Sequence, residues 1–271
     1  MSIEIRVHKA SAGARWFKAG LDIFQLQPFT FIFMYLFIGV FGLIGALAPM
    51  LNIPVALATP FLMAGLFNAA LRRQQGHKVA FADVISVFSQ KGRRMGVFRV
   101  GIYQLGAGLL LSMVANVLFA DTIAIMTQPD INPETAMAEL AQSFSLSSLV
   151  LFLVLCSIYL CAFAFAVPLV YFAGYRSIFT VLKASLMAFY HNMWAMTVFG
   201  LIGGGLILVS AILSFIPLLV VLPICYISLL VAFEAIFMPN LQSDNVTQQG
   251  DNAPQRASEQ HTQSQDGRFD A

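Results

Sequence analysis

The sequence predicts an all-α membrane protein with six transmembrane helices, and three observations support that prediction. The chain is 59% hydrophobic and only 10% charged, whereas soluble domains average about 45–50% apolar and about 25% charged residues. Six apolar runs approach or exceed the ~20 residues needed to cross the hydrocarbon core of a bilayer. Lysine and arginine are confined to the ends of the chain and to alternate connections between those runs.

Three regions follow from the distribution of polar residues. Residues 1–14 form a short polar N-terminal segment that we expect to be frayed, and residues 15–239 form the transmembrane domain. Residues 240–271 form a polar tail with almost no aliphatic side chains, which predicts disorder on the cytoplasmic side. The predicted spans are 29–48, 55–71 with its start in a turn at 49–54, 97–120, 146–174, 193–214 and 215–238.

Each pair of spans is preceded by an amphipathic segment, which predicts three units of an interfacial helix followed by a hairpin. Apolar side chains recur at helical spacing in 15–27, in the basic connection around 81–90 and in 176–191. We expect these segments to lie along the membrane surface, with Trp16 at headgroup depth. The apolar faces are formed by Phe17, Leu21 and Phe24, by Phe81, Val84, Ile85 and Phe88, and by Ile178, Leu182, Leu186 and Phe189. The recurring order of elements predicts a threefold internal repeat that arose by duplication.

A proline recurs in the second span of every unit, at Pro60, Pro168 and Pro223. A proline kinks a spanning helix and frees a carbonyl that a neighbour must satisfy. Two interpretations stay open. The kinks serve helix packing, or three kinked helices surround a central cavity in which the freed carbonyls face water or a ligand, as in transporters.

The distribution of charge predicts the orientation in the membrane. All 15 Lys and Arg residues lie before the first span, in the 72–99 connection, in the 176–191 connection or in the tail. Because basic residues close to spans stay on the cytoplasmic side, both termini are predicted inside and the acidic 121–145 connection outside. The basic connections would contact anionic lipid at the cytoplasmic face. Since topology already explains the cations, binding to nucleic acid is not expected.

Four polar side chains within the spans form the candidate intramembrane site. Glu234 is the only ionisable one deep in a span, and it either reaches the interface near the helix end or handles a proton or cation. Gln104, Asn116 and Asn68 either hydrogen-bond to neighbouring helices or bind a solute. A cavity lined by Gln104, Asn116 and Glu234 would favour transport, whereas a bundle sealed by aliphatic contacts would favour a scaffold.

No motif in the sequence indicates catalysis. There is no HExxH metal motif, GxSxG nucleophile elbow, Walker loop or dinucleotide fingerprint. Cys156, Cys161 and Cys225 lie in apolar runs without the spacing of a zinc or redox site. We therefore expect neither a metal nor another cofactor, and we predict that the protein is not an enzyme.

Aromatic residues and one longer segment carry a family resemblance. Trp16 and Phe24 precede Pro28, the 72–99 connection is basic, and residues 175–196 read YRSIFTVLKASLMAFYHNMWAM. In these features the chain resembles a BPSS-type family of uncharacterised bacterial polytopic inner-membrane proteins, over residues 13–238. The resemblance implies an all-helical, six-span protein in a Gram-negative inner membrane, and it brings no activity with it.

The function favoured by these observations is that of a non-catalytic polytopic protein that organises lipid or partner proteins. It would associate with a membrane-protein partner or with a second copy of itself. The alternative is a small-solute transporter or channel, with a cavity between the kinked helices and Glu234 at the inner mouth of that cavity.

Overall fold

The protein is described by a computed structural model over residues 3–90, 92–127, 139, 141, 143 and 145–238. Within those residues the regular elements are helical and no strand occurs. In chain order they are α1 (Ser11–Gln25), α2 (Pro28–Leu47), α3 (Pro49–Gln74), a 3₁₀ segment (Phe81–Ser89), α4 (Arg94–Leu118), α5 (Ala120–Met126), α6 (Leu146–Ala164), α7 (Ala166–Tyr171), α8 (Ile178–His191), α9 (Met193–Ile212) and α10 (Leu218–Phe237).

Six of these helical stretches are long and apolar enough to cross a membrane, which confirms the six predicted spans. They are α2, α3, α4, the stretch formed by α6 and α7 together, α9 and α10. The fourth span is interrupted at Phe165, between α6 and α7. The fold class predicted from the sequence is therefore correct.

The connection between the first two spans is shorter than predicted. A turn was expected over 49–54, but α3 begins at Pro49 and only Ala48 adopts an extended conformation between the two helices. Proline fits the first turn of a helix because its missing N–H would have no acceptor there. As a result α3 is 26 residues long and contains both Pro54 and Pro60.

The second helix of each hairpin is the more deeply buried one. In the spanning windows 44% of α3 is buried against 22% of α2, and 61% of α10 against 22% of α9. All residues of α7 are buried, and Phe165 at the break before it lies 6.3 Å from Phe233 of α10, measured between ring centres. The outer helices leave large apolar side chains exposed, as expected of surfaces that face lipid. The core is therefore centred on α3, α7 and α10, and buried side chains of α1, α2 and α8 complete it.

α1 packs against the spans α9 and α10. Trp16, expected at headgroup depth, is only 5% exposed because it is covered by protein. Gly20 allows the close approach, since a Cβ at this position would overlap Ser228 of α10. Ser228 Oγ also donates to the Phe17 carbonyl at 3.3 Å. The apolar face of α1 thus contacts the spans, and its position along the membrane surface stays a prediction.

The second amphipathic segment forms a helix, as predicted, but it is a 3₁₀ helix, and its buried face differs from the one that α-helical spacing indicated. Its buried side chains are Val84 and Val87, three residues apart, which is the repeat of a 3₁₀ helix. Ile85 and Phe88, placed on the apolar face by α-helical spacing, are 48% and 40% exposed. The segment packs on α3 at Gly65, where a Cβ would overlap the backbone of Val84.

The third amphipathic segment forms the predicted helix, α8, which packs against α6 and α7. Its buried face combines Ile178, which was predicted to lie there, with Val181 and small side chains. Ser185 and Ala188 are buried, whereas Leu186, assigned to the apolar face, is partly exposed. Ser185 Oγ donates to the Cys161 carbonyl at 2.6 Å and accepts from the Phe165 N–H at 3.2 Å. α8 thereby satisfies backbone groups at the break in the fourth span.

The three amphipathic segments share one arrangement. α1 packs on α10, the 3₁₀ segment packs on α3, and α8 packs on α6 and α7. Each segment therefore contacts the second span of the preceding hairpin, and α1 contacts the last hairpin. These contacts join the three hairpins into a closed ring instead of a linear series.

The N-terminal segment is bound to the end of α10, although fraying was expected. The Arg6 N–H donates to the Ile236 carbonyl at 3.0 Å, and the His8 N–H donates to the side-chain oxygen of Asn192 at 2.8 Å. Asn192 Nδ2 in turn donates to the Arg6 carbonyl at 3.0 Å. Asn192, at the junction of α8 and α9, is fully buried, so one amide side chain fixes the start of the chain to the fifth span.

Two predictions concern residues outside the described part of the chain. These are the tail at 240–271 and most of the acidic connection, at 128–138, 140, 142 and 144. The described beginning of that connection contains the short helix α5, which was not predicted.

Candidate functional site

A cavity of about 370 Å³ lies among the second helices of the three hairpins. α3, the α6–α7 span and α10 form most of its wall, and α4, α8 and α9 contribute one residue each. The lining residues are Thr59, Pro60, Met63, Phe67, Gln104, Tyr159, Leu160, Cys161, Phe163, Ala164, Val167, Phe189, Phe199, Cys225, Tyr226 and Leu229. The cavity is thus inside the membrane domain, between the helices that carry the three recurring prolines.

The wall of this central cavity is mostly apolar and carries a few hydrogen-bonding groups. Gln104 contributes an amide, and Tyr159 and Tyr226 contribute phenol hydroxyls. The Tyr159 hydroxyl makes a long hydrogen bond of 3.5 Å to the Gln104 carbonyl. Among the described residues, no charged side chain and no histidine lines the cavity. Such a wall suits an apolar molecule that carries a small hydrogen-bonding group.

The backbone is irregular beside the cavity. Pro168 has no N–H and so deprives the Ala164 carbonyl of its helical donor, and Ala164 is part of the cavity lining. Pro60 lies in the wall itself. Pro168 and Pro223 are buried and are not lining residues. The three prolines therefore shape the helices around the cavity, and only one of them faces it.

The four polar side chains selected from the sequence do not converge on one site. Gln104 lines the cavity, whereas Asn116 is exposed and donates to the Ser112 carbonyl of its own helix at 2.8 Å. Asn68 is half-buried on α3, Glu234 lies near the end of α10, and neither belongs to the lining. The polar lining residues that the sequence analysis missed are Thr59, Tyr159, Cys161, Cys225 and Tyr226.

One signal in the sequence could have identified part of this set. Cys225 and Tyr226 follow Pro223 by two and three positions, and Met63 follows Pro60 by three. A proline kink redirects the turn of helix beside it, so residues within one turn of each recurring proline were reasonable candidates for a cavity wall. Tyr159 and Cys161 precede Pro168 by more than one turn and carry no comparable signal.

Glu234 belongs to a separate group of buried polar side chains at the ends of α3 and α10. Glu234 is 2% exposed, and the Gln74 side chain lies within interaction range of its carboxyl group. Glu234 Oε2, Gln74 Oε1 and Arg73 Nε are buried without a hydrogen-bond partner among the described residues. Leaving such an atom unpaired costs roughly 1–3 kcal/mol. Glu234 therefore does not reach the solvent at the membrane boundary, although it lies near a helix end.

A basic region surrounds the ends of α3, α4 and α7. Arg72 forms an ion pair with Asp83 at 3.0 Å, the one salt bridge found in the described part of the chain. Arg93, Arg99 and Arg176 line a second cavity of about 390 Å³. Within the same described residues, no group of three metal-ligating side chains is found.

The six apolar spans, with their exposed apolar outer faces, decide the class of this protein. It is an integral, multi-pass membrane protein. Residues 47–172 match the model of a family described as a predicted integral membrane protein (DUF2189). No curated protein and no solved structure matches the chain.

The DUF2189-like region, residues 47–172, covers somewhat less than half of the chain. It runs from the start of α3 to the end of α7 and includes the lining residues of the central cavity from Thr59 to Val167. Glu234 and the α10 lining residues lie outside it. The DUF2189 description names a membrane protein and no activity, so the likeness agrees with the class of the protein and leaves its function to be argued from the cavities.

Proposed function

We propose that this membrane protein organises lipid without catalysis, and that its central cavity binds an amphipathic molecule dissolved in the bilayer. The observation that carries the proposal is the central cavity of about 370 Å³ with its apolar, uncharged lining. Its volume lies within the ~300–1,000 Å³ typical of small-molecule sites. Gln104, Tyr159 and Tyr226 offer hydrogen bonds to one polar group of the ligand, and the remaining wall fits a hydrocarbon or ring system.

The position of Leu160 supports entry of the ligand from the bilayer. Leu160 lines the cavity and is also 65% exposed on the outer surface of α6. One side chain therefore borders both the cavity and the surrounding lipid. A molecule dissolved in the membrane can reach the cavity there without crossing the aqueous phase.

A small-solute transporter or channel is the alternative function. The location of the cavity between proline-containing helices favours it. However, Asn116 and Glu234, two of the three residues that would have indicated a solute pathway, do not line the cavity. A charged or strongly hydrated solute would find few groups to replace its water, so a membrane-dissolved ligand fits better.

The proposal of a non-catalytic role rests on the chemistry of the lining. Cys161 and Cys225 are the nucleophilic side chains of the cavity, and both are free thiols. A thiol needs a nearby base or positive charge to become a reactive thiolate. The described lining provides neither, which supports binding over catalysis.

We also propose that the protein lies in the cytoplasmic membrane of a bacterium, as a member of the BPSS-type family, with both termini in the cytoplasm. The segregation of all 15 Lys and Arg residues supports this orientation. In the same orientation the basic region would meet anionic lipid at the cytoplasmic face. A membrane-protein partner or a second copy of the chain would contact the exposed outer helices.

We further propose that the three hairpin units arose by duplication. The packing of each amphipathic segment on the second span of another unit supports this origin. Gly65 and Ser228, the contact points on α3 and α10, each follow the recurring proline of their helix by five positions. The fourth span departs from this pattern, because α8 contacts it at Cys161 and Phe165, before Pro168.

A matched pair of substitutions tests the proposed ligand site. Met63 lines the cavity, and Met113 is an exposed residue of α4. Met63→Trp should fill part of the cavity and reduce ligand occupancy at least about fivefold, corresponding to about 1 kcal/mol. Met113→Trp adds the same side chain to the lipid-facing surface and should leave occupancy unchanged.

Native mass spectrometry of the protein extracted in a mild detergent measures that occupancy directly. The wild-type protein should retain a non-protein organic adduct that survives delipidation, and Met63→Trp should lose it. Absence of an adduct from the wild-type protein, or equal retention by both variants, would contradict the proposal. Thermal unfolding of both variants checks that neither substitution has disrupted the fold.

A further inference from the structure

Three arginines converge on a cleft at one end of the bundle. The cleft has a volume of about 390 Å³ and is lined by Arg93 and Arg99 from the start of α4 and by Arg176 from the segment after α7. It shares no lining residue with the central cavity. We call this site the arginine cleft.

The arginine cleft has no internal counter-charge. None of its described lining residues is acidic, and the salt bridge seen elsewhere in the described chain uses Arg72 and Asp83. Guanidinium groups held close together repel one another unless an anion lies between them. Three unpaired arginines around one cleft therefore favour the binding of an anion.

The cleft is partly preorganised. The Arg93 guanidinium lies 5.3 Å from the centre of the Tyr171 ring, at cation–π distance. Tyr171 is 1% exposed, and its hydroxyl donates to Gln90 Oε1 at 2.7 Å. A buried and hydrogen-bonded ring thus fixes one wall, so less side-chain freedom is lost when an anion binds.

The backbone at the cleft also favours an anion. Gly92 precedes the first turn of α4 and lines the cleft, and a Cβ placed on it would have no neighbour within 4 Å, so the main chain there is accessible. The first N–H groups of a helix have no intrahelical acceptor and carry a partial positive charge. This contribution adds to the arginines, which supply the full charges.

The location of the cleft indicates the kind of anion. α4 begins at Arg94, and α7 ends at Tyr171, so the cleft lies where two spans leave the apolar layer. Arg99 is five residues further along α4, which corresponds to about 8 Å along the helix axis into the span. Phospholipid phosphates lie at this boundary, and arginine binds phosphate in bidentate geometry.

We propose that the arginine cleft binds the phosphate group of an anionic ligand. An anionic phospholipid headgroup and a soluble phosphate share this chemistry, and the location at the membrane boundary favours the lipid. The proposal goes beyond the general attraction of basic loops to an anionic surface, because it assigns a defined site with three named arginines. It also stands independently of the ligand in the central cavity.

The test compares two double variants that each remove two positive charges. Arg99→Gln with Arg176→Gln alters the cleft, whereas Arg94→Gln with Lys183→Gln removes two exposed cations that do not line it. The protein in a neutral detergent is titrated with dioctanoyl phosphatidylglycerol, dioctanoyl phosphatidylcholine and inorganic phosphate. Binding is followed by native mass spectrometry for the lipids and by competition with phosphatidylglycerol for inorganic phosphate.

The wild-type protein should bind phosphatidylglycerol at least about tenfold more tightly than phosphatidylcholine. The cleft variant should lose at least about tenfold in affinity, whereas the control variant should change by less than about threefold, because its two exposed cations do not line the cleft and are screened by solvent ions. Equal losses in the two double variants, or equal binding of the two lipids by the wild-type protein, overturn the proposal.

Two further measurements complete the test. Competition by inorganic phosphate at concentrations similar to those of phosphatidylglycerol would identify a soluble phosphate as the ligand and overturn the lipid assignment. The wild-type affinity for phosphatidylglycerol should also fall as sodium chloride is raised from low to high concentration. A salt-independent affinity overturns the proposal even if the cleft variant fails to fold.

Discussion

Glu234 has a buried carboxyl oxygen without a hydrogen-bond partner among the described residues. It is 2% exposed, and its Oε2 atom is buried beside the Gln74 side chain, whose Oε1 atom is also unpaired. A carboxylate that lacks a full set of donors is costly to bury. Replacing it by an amide of the same shape removes the charge and adds hydrogen-bond donors.

We therefore expect Glu234→Gln to stabilise the fold. The amide keeps the shape of the side chain and removes a buried carboxylate, so the free energy of unfolding should rise by about 1–3 kcal/mol. Thermal unfolding in detergent measures the change as an increase in melting temperature. Asp22→Asn, at an exposed position of α1, serves as the control and should leave the melting temperature unchanged. A lower melting temperature for Glu234→Gln would show that the carboxylate itself has a partner or a functional role.

At the residue scale, the sequence identified Glu234 but not its surroundings. An acidic residue in an apolar run is visible by inspection, whereas Gln74 closes a different helix far earlier in the chain and meets Glu234 only after folding. Gln104, selected as a polar residue within a span, lines the cavity together with tyrosines that were not selected. Tyrosine is common near membrane boundaries, so its presence alone did not indicate a cavity.

At the element scale, close contact between an amphipathic segment and a span depends on a missing side chain. The 3₁₀ segment approaches α3 at Gly65, where a methyl group would overlap the backbone of Val84. A side chain can relieve such an overlap by changing its rotamer, whereas the backbone of Val84 has no such freedom. Gly65→Ala should therefore destabilise the protein by about 1–3 kcal/mol through overpacking.

Gly39→Ala on α2 is the matched control, because no atom lies within 4 Å of a Cβ placed there. It should be neutral or slightly stabilising, since alanine has the higher helix propensity by up to about 1 kcal/mol. The melting temperatures of the two variants, measured in the same detergent, test this expectation: Gly65→Ala should melt at a lower temperature than Gly39→Ala. If both variants behave alike, the 3₁₀ segment is not held against α3 by this contact.

The elements themselves were largely predictable, and their faces were not. Long apolar runs marked the six spans because few other structures use about 20 consecutive apolar residues. The type and the buried face of the 3₁₀ helix were not predicted, because nine residues are too few to distinguish a repeat of three residues from one of 3.6. In α8 the large side chains suggested the buried face, and Ile178 does lie there, but Ser185 and Ala188 share it because close packing between helices favours small residues.

At the scale of the whole molecule, the orientation in the membrane is open to a direct test. Cysteines are introduced at Asn52, exposed near the start of α3, and at His77, exposed beyond its end, in a chain whose three native cysteines are replaced by alanine. A membrane-impermeant maleimide applied to intact cells should label the first position only. The second should react only after permeabilisation, because the basic connection is expected in the cytoplasm. Reaction of both from one side would exclude the proposed topology.

The closed arrangement of the hairpins could not be derived from the sequence. A hydrocarbon environment is as apolar as the protein core, so the composition of a span does not distinguish leucines that face lipid from leucines that face the core. For this reason Leu160 and Leu229, both lining the cavity, look like any other residue of their spans. The repeated order of segments suggested units, and the contact of α1 with α10 that closes the ring became visible only in three dimensions.

The attachment of Arg6 to Ile236 has a consequence for biosynthesis. Arg6 and Ile236 are far apart in the sequence, one before the first span and one near the end of the last. Ribosomes add roughly 5–20 residues per second. The first residues must therefore wait on the order of tens of seconds before the helix that holds them exists. Insertion of the sixth span is then the event that completes the tertiary structure, and a nascent chain stalled before that point would present a free amino terminus to cellular proteases.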